Sequence, residues 1–183
     1  MSRRISFILF ACAAISYFLA EAQQNPSPEP RVGWEAFDGV LETILKASNQ
    51  RFRPVEGPRI ENRRREFYFE ARVYLPEAMY CRIFDQGGLV YCCEWEVKSQ
   101  ASSTSVYEKL VTRIESALGT KWAKRARSGR LRKEMLFSAE GKPIVQAIQD
   151  VNPPQVYVLV LPAGSSKDGY VGSIPSMGSF LHP

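Results

Sequence analysis

The apolar residues of this chain change period twice, and that alternation restricts the fold to mixed helix and sheet. Phe37, Val40, Leu41, Ile44, Leu45 and Ser48 follow Trp34 at helical spacing, which predicts an amphipathic helix lasting to about Gln50. From Phe67 the period falls to two. Phe67, Phe69, Ala71, Val73 and Leu75 alternate with Tyr68, Glu70, Arg72 and Tyr74, a half-buried strand that Pro76 ends. Met79 to Phe84 and Leu89 to Lys98 read as two further strands around Asp85-Gln86-Gly87-Gly88, a hairpin turn with glycine open to positive φ. The helical period then returns. Ser105 to Glu108 reads as a capping box, Val106, Leu110, Val111, Ile114 and Leu118 form the stripe, and Gly119 stands at the C′ position. Glu134 to Ser138, Pro143 to Val151 and Gln155 to Leu161 are the last three strands, joined by turns at Ala139-Glu140-Gly141-Lys142 and Asn152-Pro153-Pro154.

Arg51 to Arg65 is polar and arginine-rich, with Pro54, Gly57 and Pro58 as breakers, and reads as a connection. The expected fold is α+β: two helices packed on one face of an antiparallel sheet, in the order α-β-β-β-α-β-β-β, over residues 34–162 as one domain. The order repeats, but the halves share no visible sequence identity. A composition of 45% hydrophobic and 23% charged residues suits such a domain and excludes a collagen-like, mucin-like or wholly disordered chain.

The flanks carry a different message. Arg3 and Arg4 precede an uncharged, largely apolar run from Ile5 to Ala20, and Ala20-Glu21-Ala22 then offers an A-x-A cleavage site. Residues 1–22 are therefore expected to be a secretory signal peptide, cleaved near Ala22, which makes the protein secreted or periplasmic. The run is short of the ~20 residues that span a bilayer comfortably, so a retained anchor is the weaker reading, and no transmembrane span is expected in the mature chain. A lipoprotein site at Cys12 fits less well, because Phe10 is bulky and the apolar run continues past the cysteine. Residues 23–33 read as a proline-rich spacer, and residues 163–183 as a flexible tail of glycine, serine and proline.

Cleavage would remove Cys12 and leave Cys81, Cys92 and Cys93 in an oxidising compartment, enough for one disulfide and one spare thiol. Parity selects the pair. Cys81 lies on the face of Met79 and Ile83, and Cys93 on the apolar face of Leu89, Tyr91, Trp95 and Val97, whereas Cys92 shares its face with Glu94 and Glu96. A three-residue loop, Gln86-Gly87-Gly88 with Gly88 in the left-handed region, sets Cys81 opposite Cys93. Bridging to Cys92 is the alternative. Vicinal Cys92-Cys93 is no Cys-x-x-Cys motif and opens no helix, so a redox role is not expected.

Catalytic machinery is hard to assemble from this sequence. Its one histidine, His182, stands next to the last residue, away from any expected nucleophile, which argues against Ser-His-Asp, Cys-His and histidine-dependent zinc chemistry. No glycine-rich phosphate loop follows a strand. Glu94 and Glu96, about 7 Å apart along a strand, are expected as an exposed polar edge rather than a glycosidase pair. No catalytic residue, metal ligand or cofactor is assigned, and a small secreted enzyme ranks third among the functional readings.

The compositional anomaly is Lys121, Lys124, Arg125, Arg127, Arg130, Arg132 and Lys133: seven basic residues in thirteen with no acid among them, in a chain of net charge +5. Such a segment suits an anionic polysaccharide or lipid surface, and less well nucleic acid, since stacking aromatics are not interleaved with it. The plainer expectation is a solvated connector, with Trp122 closing the core beneath the second helix. The sequence thus points first to a secreted, non-enzymatic binding module with a protein partner, and second to a polyanion or envelope-surface binder using residues 121–133.

Overall fold

A computed structural model describes residues 33–61, 67–85 and 88–165. Helix α1 spans Phe37–Ser48 after a 3-10 turn at Trp34–Ala36, and helix α2 spans Gln100–Leu118. Eight strands follow the two helices in two groups of four. The first group is β1 (Glu56–Glu61), β2 (Phe67–Ala71), β3 (Tyr80–Asp85) and β4 (Leu89–Trp95). The second is β5 (Ala123–Ser128), β6 (Arg132–Ser138), β7 (Ile144–Val151) and β8 (Pro154–Leu161). All pair antiparallel in one sheet of order β1-β2-β3-β4-β8-β7-β6-β5. The fold is α+β.

The expected order needs one correction in each half: a strand directly after each helix. The observed order is α-β-β-β-β-α-β-β-β-β. Both added strands, Glu-Gly-Pro-Arg-Ile-Glu (β1) and Ala-Lys-Arg-Ala-Arg-Ser (β5), form the outer edges of the sheet; neither has a buried residue, β5 being largely exposed and β1 half so. An edge strand with little surface to bury has no reason to alternate apolar and polar side chains, so period two is absent from both. Each half is thus a helix followed by a four-stranded meander. The last strand of each meets the other in the centre, where Cys93 opposes Val158 and Glu94 opposes Tyr157.

Other boundaries shift for local reasons. The cap of helix α2 lies six residues before Ser105: Ser99 is the N-cap, its Oγ accepting from the Ser102 amide at 3.2 Å while the Ser99 amide donates to Ser102 Oγ at 3.0 Å. Gly119 ends the helix at φ 69°, as its position foretold. The strand expected over 67–75 stops at Ala71, because residues 72–79 fold back under the sheet. Tyr91 Oη donates to the Val73 carbonyl at 2.5 Å, and Trp95 Nε1 donates to the Pro76 carbonyl at 3.1 Å. Strand β4 ends at Trp95 rather than Lys98. Inside the polar 51–65 stretch, Phe52 is fully buried with its ring against Tyr91, and that burial holds it at φ 61°.

One hydrophobic cluster joins both helices to one sheet face. Phe37, Leu41 and Ile44 of α1 and Tyr107, Leu110 and Ile114 of α2 lie against Cys81, Ile83, Tyr91, Cys93, Trp95, Phe137, Val145, Ala147, Val156, Val158 and Val160. Gln149 Nε2 pins α2 to β7 by donating to Ser103 Oγ (3.1 Å) and Thr104 Oγ1 (3.0 Å). The disulfide joins Cys81 to Cys93 across β3 and β4, with Cα atoms 4.1 Å apart, and Cys92 is free and buried. Register and pairing agree with the parity argument: Asp85 opposes Leu89, which leaves three residues in the loop. Gly88 sits at φ 152°, outside the left-handed helical basin expected of it but still in a region that favours glycine.

The expected signal peptide, most of the spacer, and residues 166–183 of the expected tail lie outside the described residues. Among those described, no helix is long and apolar enough to cross a membrane.

Candidate functional site

The second face of the sheet carries a second apolar cluster made from strands alone. Phe84, Val90, Cys92, Leu136, Ile144, Ile148, Tyr157, Leu159 and Leu161 compose it, with Tyr68 at its border. Both helices belong to the opposite cluster. Among the described residues no helix lies on this side, which we call the open face.

Polar groups frame the cluster on both sides. On the β2–β3 side the Arg82 guanidinium lies 4.7 Å from the Tyr68 ring centroid and 4.9 Å from that of Tyr80. On the β6–β7 side Arg132 grips Asp150 with two parallel bonds, Nε to Oδ1 at 2.6 Å and Nη2 to Oδ2 at 3.0 Å. Gln146 Nε2 donates to Glu134 Oε2 at 3.2 Å beside them.

Glu94 stands in the middle, on the central strand β4, between Tyr80 of β3 and Tyr157 of β8. It is 5% exposed, and its Oε2 finds no hydrogen-bond partner. Burial pushes its carboxyl up from the ordinary 4.5 to about 7, with the Arg82 charge pulling the other way. The expectation of an exposed Glu94–Glu96 edge is therefore corrected. Glu94 lies inside the central strand pair, and Glu96 falls beyond the end of β4 on the surface.

Cys92, next on the same face, is completely buried. Burial first, and the neighbouring Glu94 charge second, push its thiol far above the ordinary range, against a smaller opposing pull from Arg82. A thiol held so firmly protonated is a poor nucleophile. Burial, then Glu94 and Cys92, likewise raise the Tyr157 hydroxyl, which donates to Gln155 Oε1.

The basic segment is not a connector. Lys121 precedes β5; Lys124, Arg125 and Arg127 lie on it; Arg130 is in the turn after it; Arg132 and Lys133 open β6. Strand parity divides the group between faces. Arg125 and Arg127 oppose Leu136 and Glu134 on the open face, while Lys124 opposes Phe137, and Lys133 opposes Gln149, on the helix side. Acids engage Lys124, through Glu115 at 2.5 Å, and Arg132, through Asp150 and, at 3.8 Å, Glu134. Trp122 packs against the helix-side cluster, as the plainer reading expected.

Sequence reasoning overlooked the open face, although its signal was present. Gln155 to Leu161 and Leu89 to Cys93 are apolar at both parities, the pattern of strands buried on two sides, whereas two helices on one face cover only one.

The chain is an α+β protein in which, among the described residues, both helices lie on one sheet face. Comparison with protein-family models, curated proteins and solved structures finds no match.

Proposed function

We propose that this is a secreted, non-enzymatic binding module that takes a protein partner through the open face of its sheet. The carrying observation is the second apolar cluster itself: nine strand side chains on one sheet face, each buried to 9% exposure or less, to which neither helix contributes. An apolar centre framed by the Arg82, Tyr68, Arg132 and Asp150 side chains has the layout of an interface core with a polar rim. Tyr157, Arg82 and Tyr68 are residue types that dominate interface energetics. The sheet edges are poorer candidates for strand addition. β1 contains Pro58 and a register shift, and β5 carries Lys124, Arg125 and Arg127, devices that oppose strand pairing.

The test is affinity capture from the native extracellular or periplasmic fraction. The wild type is compared with Phe84→Asp, a substitution at the rim of the cluster where the residue is 9% exposed. A partner held by apolar contact stays on the wild type in about 0.5 M salt, where charge contacts are screened. The Phe84→Asp chain, checked for a cooperative melt, loses it by about tenfold. Equal retention by both chains rejects the open face as the binding surface.

One observation favours a second reading, an anionic polysaccharide or lipid surface as ligand. β5 sets Lys124, Arg125 and Arg127 along an exposed edge of the sheet, with Lys121 and Arg130 at its two ends. On this reading the wild type binds heparin or anionic vesicles at low salt and elutes between about 0.2 and 0.5 M. A Lys124→Gln/Arg125→Gln/Arg127→Gln/Arg130→Gln chain flows through, still folded, because an exposed pair such as Lys124–Glu115 contributes at most about 1 kcal/mol. Passage of the wild type itself at low salt ends this reading and leaves the sheet face.

A further inference from the structure

Two large apolar side chains stand exposed among the described residues, Phe67 at 46% and Leu131 at 60%. Phe67 is partnered, since the Arg59 guanidinium lies 3.8 Å from its ring centroid. Leu131 sits at the tip of the β5–β6 hairpin. A surface leucine is ordinary in itself, but this one stands among cations on a turn that gives it no structural task.

We propose that the β5–β6 hairpin is a membrane-contact element: Leu131 enters the acyl boundary of an anionic lipid bilayer while Arg130 and Lys133 hold headgroup phosphates beside it. This rests on the second reading above, of the β5 edge as an anion-binding surface, and it names lipid as the anion.

The first observation is how the tip is built. Strand pairing ends at Ser128 and Lys133, and the Gly129 amide donates to the Arg132 carbonyl at 2.8 Å. Arg130 and Leu131 are left as the two central residues of a tight turn. Such turns favour glycine, asparagine and aspartate, so turn chemistry gives no reason for a leucine here. The tip is also held in place. The Leu131 carbonyl accepts from the Val151 amide at 2.9 Å, and Arg132 grips Asp150 through two parallel bonds. The backbone of Leu131 is thus tied to the end of β7 while its side chain stands in solvent. A side chain so presented enters another phase without the cost of ordering its backbone.

The second observation is charge. Arg130 precedes the leucine and Lys133 follows two positions later, both exposed, with Lys124, Arg125 and Arg127 further along β5. The acids nearest in register, Glu134 and Asp150, are engaged by Arg132 at 3.8 and 2.6 Å, and Glu134 also accepts from Gln146. Parity sets Lys133 on the helix side and Arg127 on the open face, so positive charge lies on both faces of the hairpin behind its apolar tip. The third is the match to a ligand. An anionic polysaccharide satisfies the cations but offers a leucine no apolar layer to enter. An anionic bilayer satisfies both, with phosphates at its surface and hydrocarbon about 5–10 Å deeper.

The test is co-sedimentation of the full chain with vesicles of equimolar phosphatidylcholine and phosphatidylglycerol, run beside retention on heparin. Binding is read as the gain over pure phosphatidylcholine vesicles, which subtracts any contribution of the apolar run 5–20. The wild type is expected to show that gain at low salt and to lose it in about 0.5 M salt. Leu131→Gln, a change at an exposed position, is expected to weaken vesicle binding by about tenfold while heparin elution and the melt stay as they were. Leu131→Trp is expected to bind vesicles at least as well as the wild type, because tryptophan suits the membrane interface. Vesicle binding by Leu131→Gln equal to that of the wild type overturns the proposal and leaves the anion-binding reading intact. So does heparin retention without vesicle binding, the result of a polysaccharide surface. A wild type that binds neither ends the anion-binding reading and this proposal with it. Should Leu131→Gln melt without cooperativity, Leu131→Trp decides, and vesicle binding weaker than the wild type's overturns the proposal.

Discussion

Removing the Cys81–Cys93 bridge by Cys81→Ala/Cys93→Ala is expected to lower stability by about 3–4 kcal/mol, more than the loss of any surface charge pair in the fold. Most of it acts on the unfolded chain. A link between residues 12 apart closes a short loop, and its removal returns about 3 kcal/mol of chain entropy to the denatured ensemble. The remainder comes from the native state, where both cysteines are fully buried in the helix-side core and alanine leaves small voids beside Tyr91 and Ile83. Urea unfolding of the oxidised wild type against the double variant measures the difference, and a melt should fall by roughly 10 °C or more. Peptide mapping without reductant should recover Cys81 linked to Cys93 and Cys92 alkylatable only after unfolding. A loss under about 1 kcal/mol would show that the hairpin holds its register without the bridge.

Glu94→Gln is expected to stabilise the protein at alkaline pH and to leave it unchanged at acid pH. The carboxyl titrates near 7 in the fold against an ordinary 4.5, so the folded state binds the proton more tightly than the unfolded chain does. Below about pH 4.5 both states are protonated and the group adds no penalty. Between 4.5 and 7 the unfolded chain gives up a proton that the native state keeps, and stability falls as pH rises. Above 7 both are ionised and the penalty is constant. With about 1.4 kcal/mol for each tenfold change in proton affinity, the penalty reaches about 3–3.5 kcal/mol. Glutamine keeps the shape of the side chain without the charge. The Glu94→Gln chain should therefore melt roughly 5–10 °C above the wild type at pH 8.5 and together with it near pH 4. A difference that stays flat across that range would place the cost of Glu94 in its unmet hydrogen bond rather than in its charge.

How much of this was legible beforehand depended on whether a segment's environment leaves a trace in its own residues. The Cys81–Cys93 pair was legible because hairpin parity and a glycine loop are local, and one apolar face per strand fixes the register. The stripe of α1 was legible for the same reason: Phe37, Leu41 and Ile44 face one core. The edge strands β1 and β5 were not. Their backbone hydrogen bonds come from β2 and β6, while their side chains face solvent and record nothing of the pairing. Phe52 was hidden by its polar neighbours, because a single buried aromatic in a loop has no period to betray it. The Ser99 cap lost to Ser105–Glu108 on sequence, since Ser102 is a less familiar partner in a capping box than glutamate.

The sequence by itself determined the elements that bury one continuous face, the class of fold they build, and the cysteine pairing within one hairpin. Each follows from contacts between residues a few positions apart or from a repeated period. Only the tertiary structure decided that β4 and β8 lie side by side at the centre of an eight-stranded sheet, residues more than sixty positions apart in the chain. That placement turns Glu94 from an expected surface acid into a buried one, and spreads the seven basic residues over an edge strand, a turn and two faces. It also creates the open face. No segment encodes such a surface alone, because the apolar side chains of β3, β4, β6, β7 and β8 become one patch only when long-range pairing brings the strands into one sheet.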